Sequence, residues 1–194
     1  MGISYHPLPE AYKDFIVQKQ YFDLTIVGRD PYSTSPVGIP FCKESWSELL
    51  RDNCSGYHVL SSLGIDLVAV KEKCSTPIEL FETLAAEGIA FLNASYHFLD
   101  SEKIPQKYLC YIEMATIVNK PIIKKSKACI LCGQAKVIKK YIPEQADIIE
   151  VIHPDVQNRK FYKDAWEKVW LPNTLKSTFD LKLEISKEMK EIGT

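Results

Sequence analysis

No stretch of this 194-residue sequence stays apolar for the roughly 18 residues that a membrane-spanning helix needs, and runs such as 128–132 fall far short. A membrane partner is therefore not expected. There is no excess of either charge: 24 Lys+Arg face 25 Asp+Glu, for a formal net charge of -1. That balance excludes a protein whose whole surface is a basic field, so any nucleic-acid contact must come from a local patch. The opening segment MGISYHPLPE lacks a basic stretch followed by an apolar core. No signal peptide is expected, and the expected location is cytoplasmic: bacterial cytosol, or nucleus in a eukaryote. Repeats and low-complexity tracts are absent as well. Cysteines stand at 42, 54, 74, 110, 129 and 132, but Cys129-x-x-Cys132 has no second pair at metal-ligand spacing. It lies in the apolar run ACILC, where a buried strand would point the two thiols to opposite faces. Six reduced thiols, no metal and no cofactor are the expectation.

What is present is ordinary globular composition, with 46% hydrophobic and 25% charged residues in 22.1 kDa. A single domain over 1–194, acting as a monomer, is expected. Short apolar runs alternate with amphipathic stretches. Strands are read at 24–27, 89–92, 128–132 and 148–152, and helices at 8–20, 44–51, 77–87, 105–118, 134–142 and 161–170. The helix at 77–87 is the best marked. Thr76 can cap it, Pro77 suits its first turn, Gly88 ends it, and Ile78, Phe81, Leu84 and Ala85 recur at helical spacing. Residues 29–41, rich in Pro, Ser and Gly, read as loop. In the tail Phe179, Leu181, Leu183 and Ile185 alternate as in a strand, while Leu181, Ile185, Met189 and Ile192 fit one face of a helix, and the helix is the preferred reading. This alternation predicts an α/β fold: a three-layer αβα sandwich around a central four-stranded parallel sheet.

In such a sheet ligands bind beyond the carboxyl ends of the strands. The residues there are Gly28-Arg29-Asp30-Pro31-Tyr32, Asn93-Ala94-Ser95, Gly133-Gln134 and His153-Pro154-Asp155. Four motifs run in order through them: Gly28-Arg29-Asp30-Pro31-Tyr32 after a strand, Gly38-Ile39-Pro40-Phe41-Cys42, Phe91-Leu92-Asn93-Ala94, and Ile152-His153-Pro154. The ordered set resembles the uracil-DNA glycosylase superfamily, of which this chain would be a divergent member. From Leu24 to about Arg159 the resemblance covers most of the sequence. It implies a glycosylase that removes uracil, or a related deaminated base, from DNA in base-excision repair.

Under that resemblance each residue has a role. Asp30 stabilises the developing sugar cation and positions or activates water. His153, neutral in the family's scheme, stabilises the negative charge of the departing base. Asn93 offers donor and acceptor to the pyrimidine edge, Phe41 stacks on the extruded base, and Tyr32 fills the space of a thymine methyl. Ser33, Gln157, Arg159 and Lys160 are expected on the DNA. Where the family has H-P-S and a bulky apolar wedge, this chain has His153-Pro154-Asp155-Val156-Gln157. A carboxylate replaces a phosphate-binding hydroxyl, and the wedge falls on Val156 or Gln157. Ser33 stands where the best-known branch has His. These departures motivate a second reading, a nucleotide- or nucleic-acid-binding module with little turnover. Asp30, Asn93 and His153 around one cavity, with Phe41 on its wall, would favour the enzyme.

Overall fold

The apolar runs read as strands form one parallel sheet, and they are apolar because the sheet is covered on both faces. The computed structural model describes residues 3–34, 36–99, 104–142 and 147–183. In chain order the elements are β1 (Ile3–Tyr5), α1 (Glu10–Gln18), β2 (Phe22–Gly28), α2 (Trp46–Leu49), α3 (Ser55–Ser62), α4 (Leu67–Lys71), α5 (Pro77–Ala86), β3 (Ile89–Asn93) and β4 (His97–Leu99). A 3₁₀ turn (Gln106–Tyr108) leads into α6 (Leu109–Lys124), β5 (Ser126–Cys132), a 3₁₀ helix (Gly133–Tyr141), β6 (Asp147–Val151), α7 (Val156–Phe161), α8 (Lys163–Trp170) and α9 (Thr174–Thr178).

The sheet order is β3-β2-β5-β6, all neighbours parallel, with Gly28 level with Asn93 and Val27 level with Leu131. β3 is buried throughout, and β2 and β5 nearly so. Helices therefore cover both faces, and the α/β fold with a central four-stranded parallel sheet is as expected. β6 is different: it is an edge strand, and Ile149 is 38% exposed. β3, at the opposite edge, would present unpaired backbone groups to α1. Tyr12 supplies the partner: its hydroxyl accepts from the Phe91 N–H at 2.8 Å and donates to the Phe91 carbonyl at 3.3 Å. The edge is thus closed by a side chain.

Local rules account for most boundaries. Thr76 accepts from the Glu79 N–H with Pro77 in the first turn, as read from the sequence. The helix expected to stop near residue 118 continues through Pro121 to Lys124. Proline deprives the carbonyl four residues back of its donor, but that residue, Ile117, is 77% exposed, so water can serve it. The helix expected over 161–170 is two helices broken at Tyr162, and the first begins at Val156 because Asp155 caps it. The segment expected as a helix at 134–142 winds as 3₁₀. An antiparallel pair, β1 with β4, was not expected, nor were α3 and α4. Beyond residue 183 the tail expected as a helix lies outside the described residues. Among those described, no helix is long and apolar enough to cross a membrane.

Candidate active site

The carboxyl ends of β2, β5 and β6 open into one cleft of about 770 Å³. Asp30, Tyr32 and Ser33 come from the loop after β2, and Phe41 from the loop that follows. Gln134 comes after β5, and His153 and Asp155 after β6. The fourth strand end contributes differently. Asn93 closes β3 at 0% exposure and is absent from the cleft wall. Its Nδ2 donates to the Gly38 carbonyl at 2.7 Å, its Oδ1 is buried without a partner, and its own carbonyl accepts from Asn119 Nδ2 at 2.7 Å. Asn93 is therefore not one of the residues brought to the cleft: Pro40 and Phe41 roof it over. A Cβ on Gly28 would sit 3.0 Å from Pro40 Cβ, 3.3 Å from Asn93 Oδ1 and 3.4 Å from the Phe41 ring. Glycine at this place lets the roof come down onto the strand end.

Asp30 is a buried carboxylate, its side chain 7% exposed. Oδ1 accepts from Arg29 Nε at 2.9 Å and Oδ2 from the Leu99 N–H at 3.0 Å. Burial raises its pKa above the ordinary carboxylate value, although Arg29, the Leu99 N–H and the field of His153 oppose the rise. Arg29 also donates to the Leu99 carbonyl at 3.2 Å and to Gln134 Oε1 at 3.4 Å, linking the loop after β2 to β4 and to the end of β5. Its place inside the motif, next to Asp30, was the signal for this role; the sequence reading assigned it none.

Tyr32 is fixed on three sides. Its hydroxyl accepts from the Gly56 N–H at 3.2 Å and shares a hydrogen bond with the Cys54 thiol at 3.7 Å. The Lys43 ammonium lies 3.7 Å from the ring centroid while donating to the Thr34 carbonyl at 3.1 Å. Burial holds the Tyr32 phenol well above its ordinary value and lowers that of Lys43, so the phenol stays protonated. Phe41 is 4% exposed, with its ring 6.0 Å from that of His153. The Phe41 backbone has φ 65°, in the left-handed region that a bulky residue avoids.

His153 Nδ1 lies 3.0 Å from Asp155 Oδ2. Asp155 also caps α7, accepting from the Asn158 N–H at 2.6 Å and from Asn158 Nδ2 at 2.8 Å. Burial alone would push its carboxyl up, but the bonds from His153 and Asn158 outweigh burial and hold it below the usual value. Asp155, the carboxylate that stands where the family has a phosphate-binding hydroxyl, is bonded to His153 and Asn158. The signal was its position three residues before Asn158 at a helix start. Of the residues expected on DNA, Ser33 is exposed on the cleft wall. Gln157, Arg159 and Lys160 are exposed on α7 and line no part of the cleft. Arg159 lies 5.0 Å over the Trp166 ring, and Lys160 is 5.8 Å from the Phe161 ring. Val156, 41% exposed, and Gln157 stand in the first turn of α7.

The sequence matches no protein-family model and no curated protein. Among solved structures, a point mutant of UNG from Nitratifractor salsuginis is 19% identical with a TM-score of 0.50, over 82% of this chain and 74% of that one. The wild-type protein of that organism is 18% identical with a TM-score of 0.48, over 84% of this chain and 74% of that one. Mimivirus uracil-DNA glycosylase is 14% identical with a TM-score of 0.49, over 80% of this chain and 58% of that one. At 19% identity the first of these is a likeness of fold: the chain has the uracil-DNA glycosylase fold.

Proposed function

We propose that this protein is a monofunctional DNA glycosylase that hydrolyses the N-glycosidic bond of uracil, or of a related deaminated base, flipped out of DNA into the cleft. The observation that carries the reading is that Asp30 and His153, from two separate strand ends, line one cleft with Phe41 on its wall. Breaking a glycosidic bond leaves positive charge on the sugar and negative charge on the base, so a site needs an anion and a hydrogen-bond donor on opposite sides. Asp30 is the anion and orients the water, His153 meets the base, Phe41 stacks on it and Tyr32 occupies the C5 edge. For Asn93 to read the base, its amide must exchange the Gly38 carbonyl for the pyrimidine. Exposed Arg159 and Lys160 on α7 are the candidate phosphate contacts, with Ser33 and Gln157 beside the strand.

The second reading, a binding module of this fold with little turnover, is favoured by one observation: Asn93 lies under the roof with its Nδ2 committed to Gly38. The two part in one experiment. Oligonucleotides each carrying uracil, hypoxanthine or another deaminated base are incubated with the protein, and abasic sites are cleaved with alkali. Cleavage at one lesion is the expected result. Binding of these oligonucleotides without cleavage at any lesion replaces the enzyme with the binding module.

A further inference from the structure

We propose that Tyr162 is a stacking platform for an unpaired base that flanks the extruded nucleotide, so that the strand entering the cleft is held by a base as well as by its phosphates. The platform rests on the reading of the cleft as a DNA site, and it lies beside the pocket assigned to the excised base rather than within it.

Tyr162 stands at the break between α7 and α8, with φ -134° and ψ 48°. Its backbone is held from both sides. The Tyr162 N–H donates to the Asn158 carbonyl at 2.8 Å, and the Tyr162 carbonyl accepts from the Trp166 N–H at 2.9 Å. Asn158 is in turn bonded to Asp155, and Asp155 to His153. Tyr162 is thus fixed on the same cleft wall as His153, yet it is 59% exposed. Phe161, the last residue of α7, is 70% exposed. An exposed aromatic ring forgoes the burial that is its largest stabilising contribution. Single exposed apolar side chains are ordinary, but an adjoining pair, one of them on a cleft wall, marks a binding surface.

The charge beside the two rings says what binds. Residues 156–163 carry Arg159, Lys160 and Lys163 and no carboxylate. The Lys160 ammonium lies 5.8 Å from the Phe161 ring. Of the acids on either side, Asp155 accepts from His153 and Asn158, Glu167 lies 3.9 Å from Lys163, and Asp164 stands in the first turn of α8. In a chain of net charge -1 this run is a local basic patch. Cations interleaved with exposed rings suit a single strand, because phosphates meet the cations and every base has a face that can stack. A base inside a duplex already stacks on its neighbours, so the occupant is an unpaired one. The start of α7 agrees with this: Val156 and Gln157 offer no bulky apolar wedge for a duplex. A ring on the wall needs no duplex gap to fill.

The test is fluorescence anisotropy with a labelled oligothymidine, alone and paired to its oligodeoxyadenosine complement, against wild type, Tyr162→Ala and Tyr162→Phe. Both variants keep the backbone bonds of Tyr162, and matched circular dichroism checks the fold. Tyr162→Ala is expected to weaken single-strand binding about 5- to 100-fold, the usual worth of one stacked base. Duplex binding should stay at the wild-type level, and Tyr162→Phe, which keeps the ring, should bind the single strand as wild type does. The slope of log Kd against log salt should be the same in wild type and Tyr162→Ala, since a lost ring changes no counterion release. Unchanged single-strand affinity in Tyr162→Ala, an equal loss in Tyr162→Phe, an equal loss on the duplex, or a changed salt slope overturns the platform. Base release is scored separately on lesion-bearing oligonucleotides. Strand binding that needs the ring, without release at any lesion, keeps the platform and removes the glycosylase. Release with no effect of Tyr162→Ala on strand binding does the reverse.

Discussion

Asp30→Asn separates a catalytic carboxylate from a structural tie, because the two roles predict opposite outcomes on two axes. Asparagine keeps the shape and an oxygen for the Leu99 N–H, 3.0 Å away, and loses the charge. A group that stabilises a cationic transition state and handles a proton contributes about 10²–10⁴ in rate. Single-turnover base release should fall by about that factor, equivalent to roughly 3–5 kcal/mol of barrier.

Stability should move the other way, or not at all. Burial raises the Asp30 pKa despite Arg29 at 2.9 Å, so ionisation is less favourable in the folded chain than in the unfolded one. The sign follows from linkage. Below the unfolded pKa both states are protonated and the group contributes nothing. As pH rises towards the folded pKa the unfolded chain ionises first and stability falls, and above the folded pKa the full penalty is in place. At neutral pH the Asn variant should therefore melt no lower than wild type. Arg29 loses its ion pair but keeps the Leu99 carbonyl and Gln134, and its side chain is 22% exposed, so water can solvate it. Thermal melts of both proteins at mildly acidic and neutral pH, set beside the rate measurement, test this. Retained base release with a clearly lower melting point in the variant would refute it. Asp30 would then be a tether between the loop after β2 and β4.

Tyr12→Phe strips the partner from the Phe91 N–H and carbonyl at the buried edge of β3. Each group left unsatisfied costs about 1–3 kcal/mol, which denaturant unfolding with an unchanged m-value should show as a lower midpoint. Tyr32→Ala should admit thymine, or 5-substituted uracils, to base release; unchanged rejection of thymine-containing oligonucleotide means another group guards that edge. Gly28→Ala places a methyl 3.0 Å from Pro40 Cβ and 3.4 Å from the Phe41 ring, so the roof must shift. Base release should fall while the melting point changes little, and wild-type rates in this variant would show that the roof does not shape the base pocket.

The elements legible in the sequence are those whose burial imposes a pattern. β2, β3 and β5 are covered on both faces and read as continuous apolar runs; α5 is half-buried and carries its cap at Thr76. α3 was invisible for the converse reason. Ser55, Gly56, His58, Val59, Leu60 and Ser62 are all buried, so no polar stripe marks a helical period, and small residues fill one side. Gly56 shows why: a Cβ there would lie 1.9 Å from the Phe41 carbonyl oxygen, so the helix packs against the backbone that carries the aromatic ring. β1 and β4 are three residues each, too short for alternation to show, and their pairing, Ile3 with Leu99 and Tyr5 with His97, joins segments far apart in sequence. α4 had a start signal in Asp66, which accepts from the Val68 and Ala69 N–H groups, but no periodic face followed it.

At the site, the residues at strand ends were legible and their partners were not. The placement of Asp30, Tyr32 and His153 follows from strand, turn and loop order, which are local. What each touches depends on contacts distant in sequence: Leu99 on Asp30, Gly56 and Lys43 on Tyr32, Gly38 on Asn93. The roof shows the limit most clearly. Gly38 has φ 80°, and a Cβ there would meet the Pro7 carbonyl oxygen at 1.8 Å, so the chain entering α1 presses directly on the loop. Asn93 holds the same residue from below, and three positions on Phe41 is forced to φ 65°. A left-handed conformation at a non-glycine costs about 1–2 kcal/mol. Close approaches thus join Pro7 to Gly38 and Gly56 to Phe41, and a hydrogen bond joins Gly38 to Asn93, so a side chain at Gly38 or Gly56 would displace the backbone that carries the aromatic wall of the cleft.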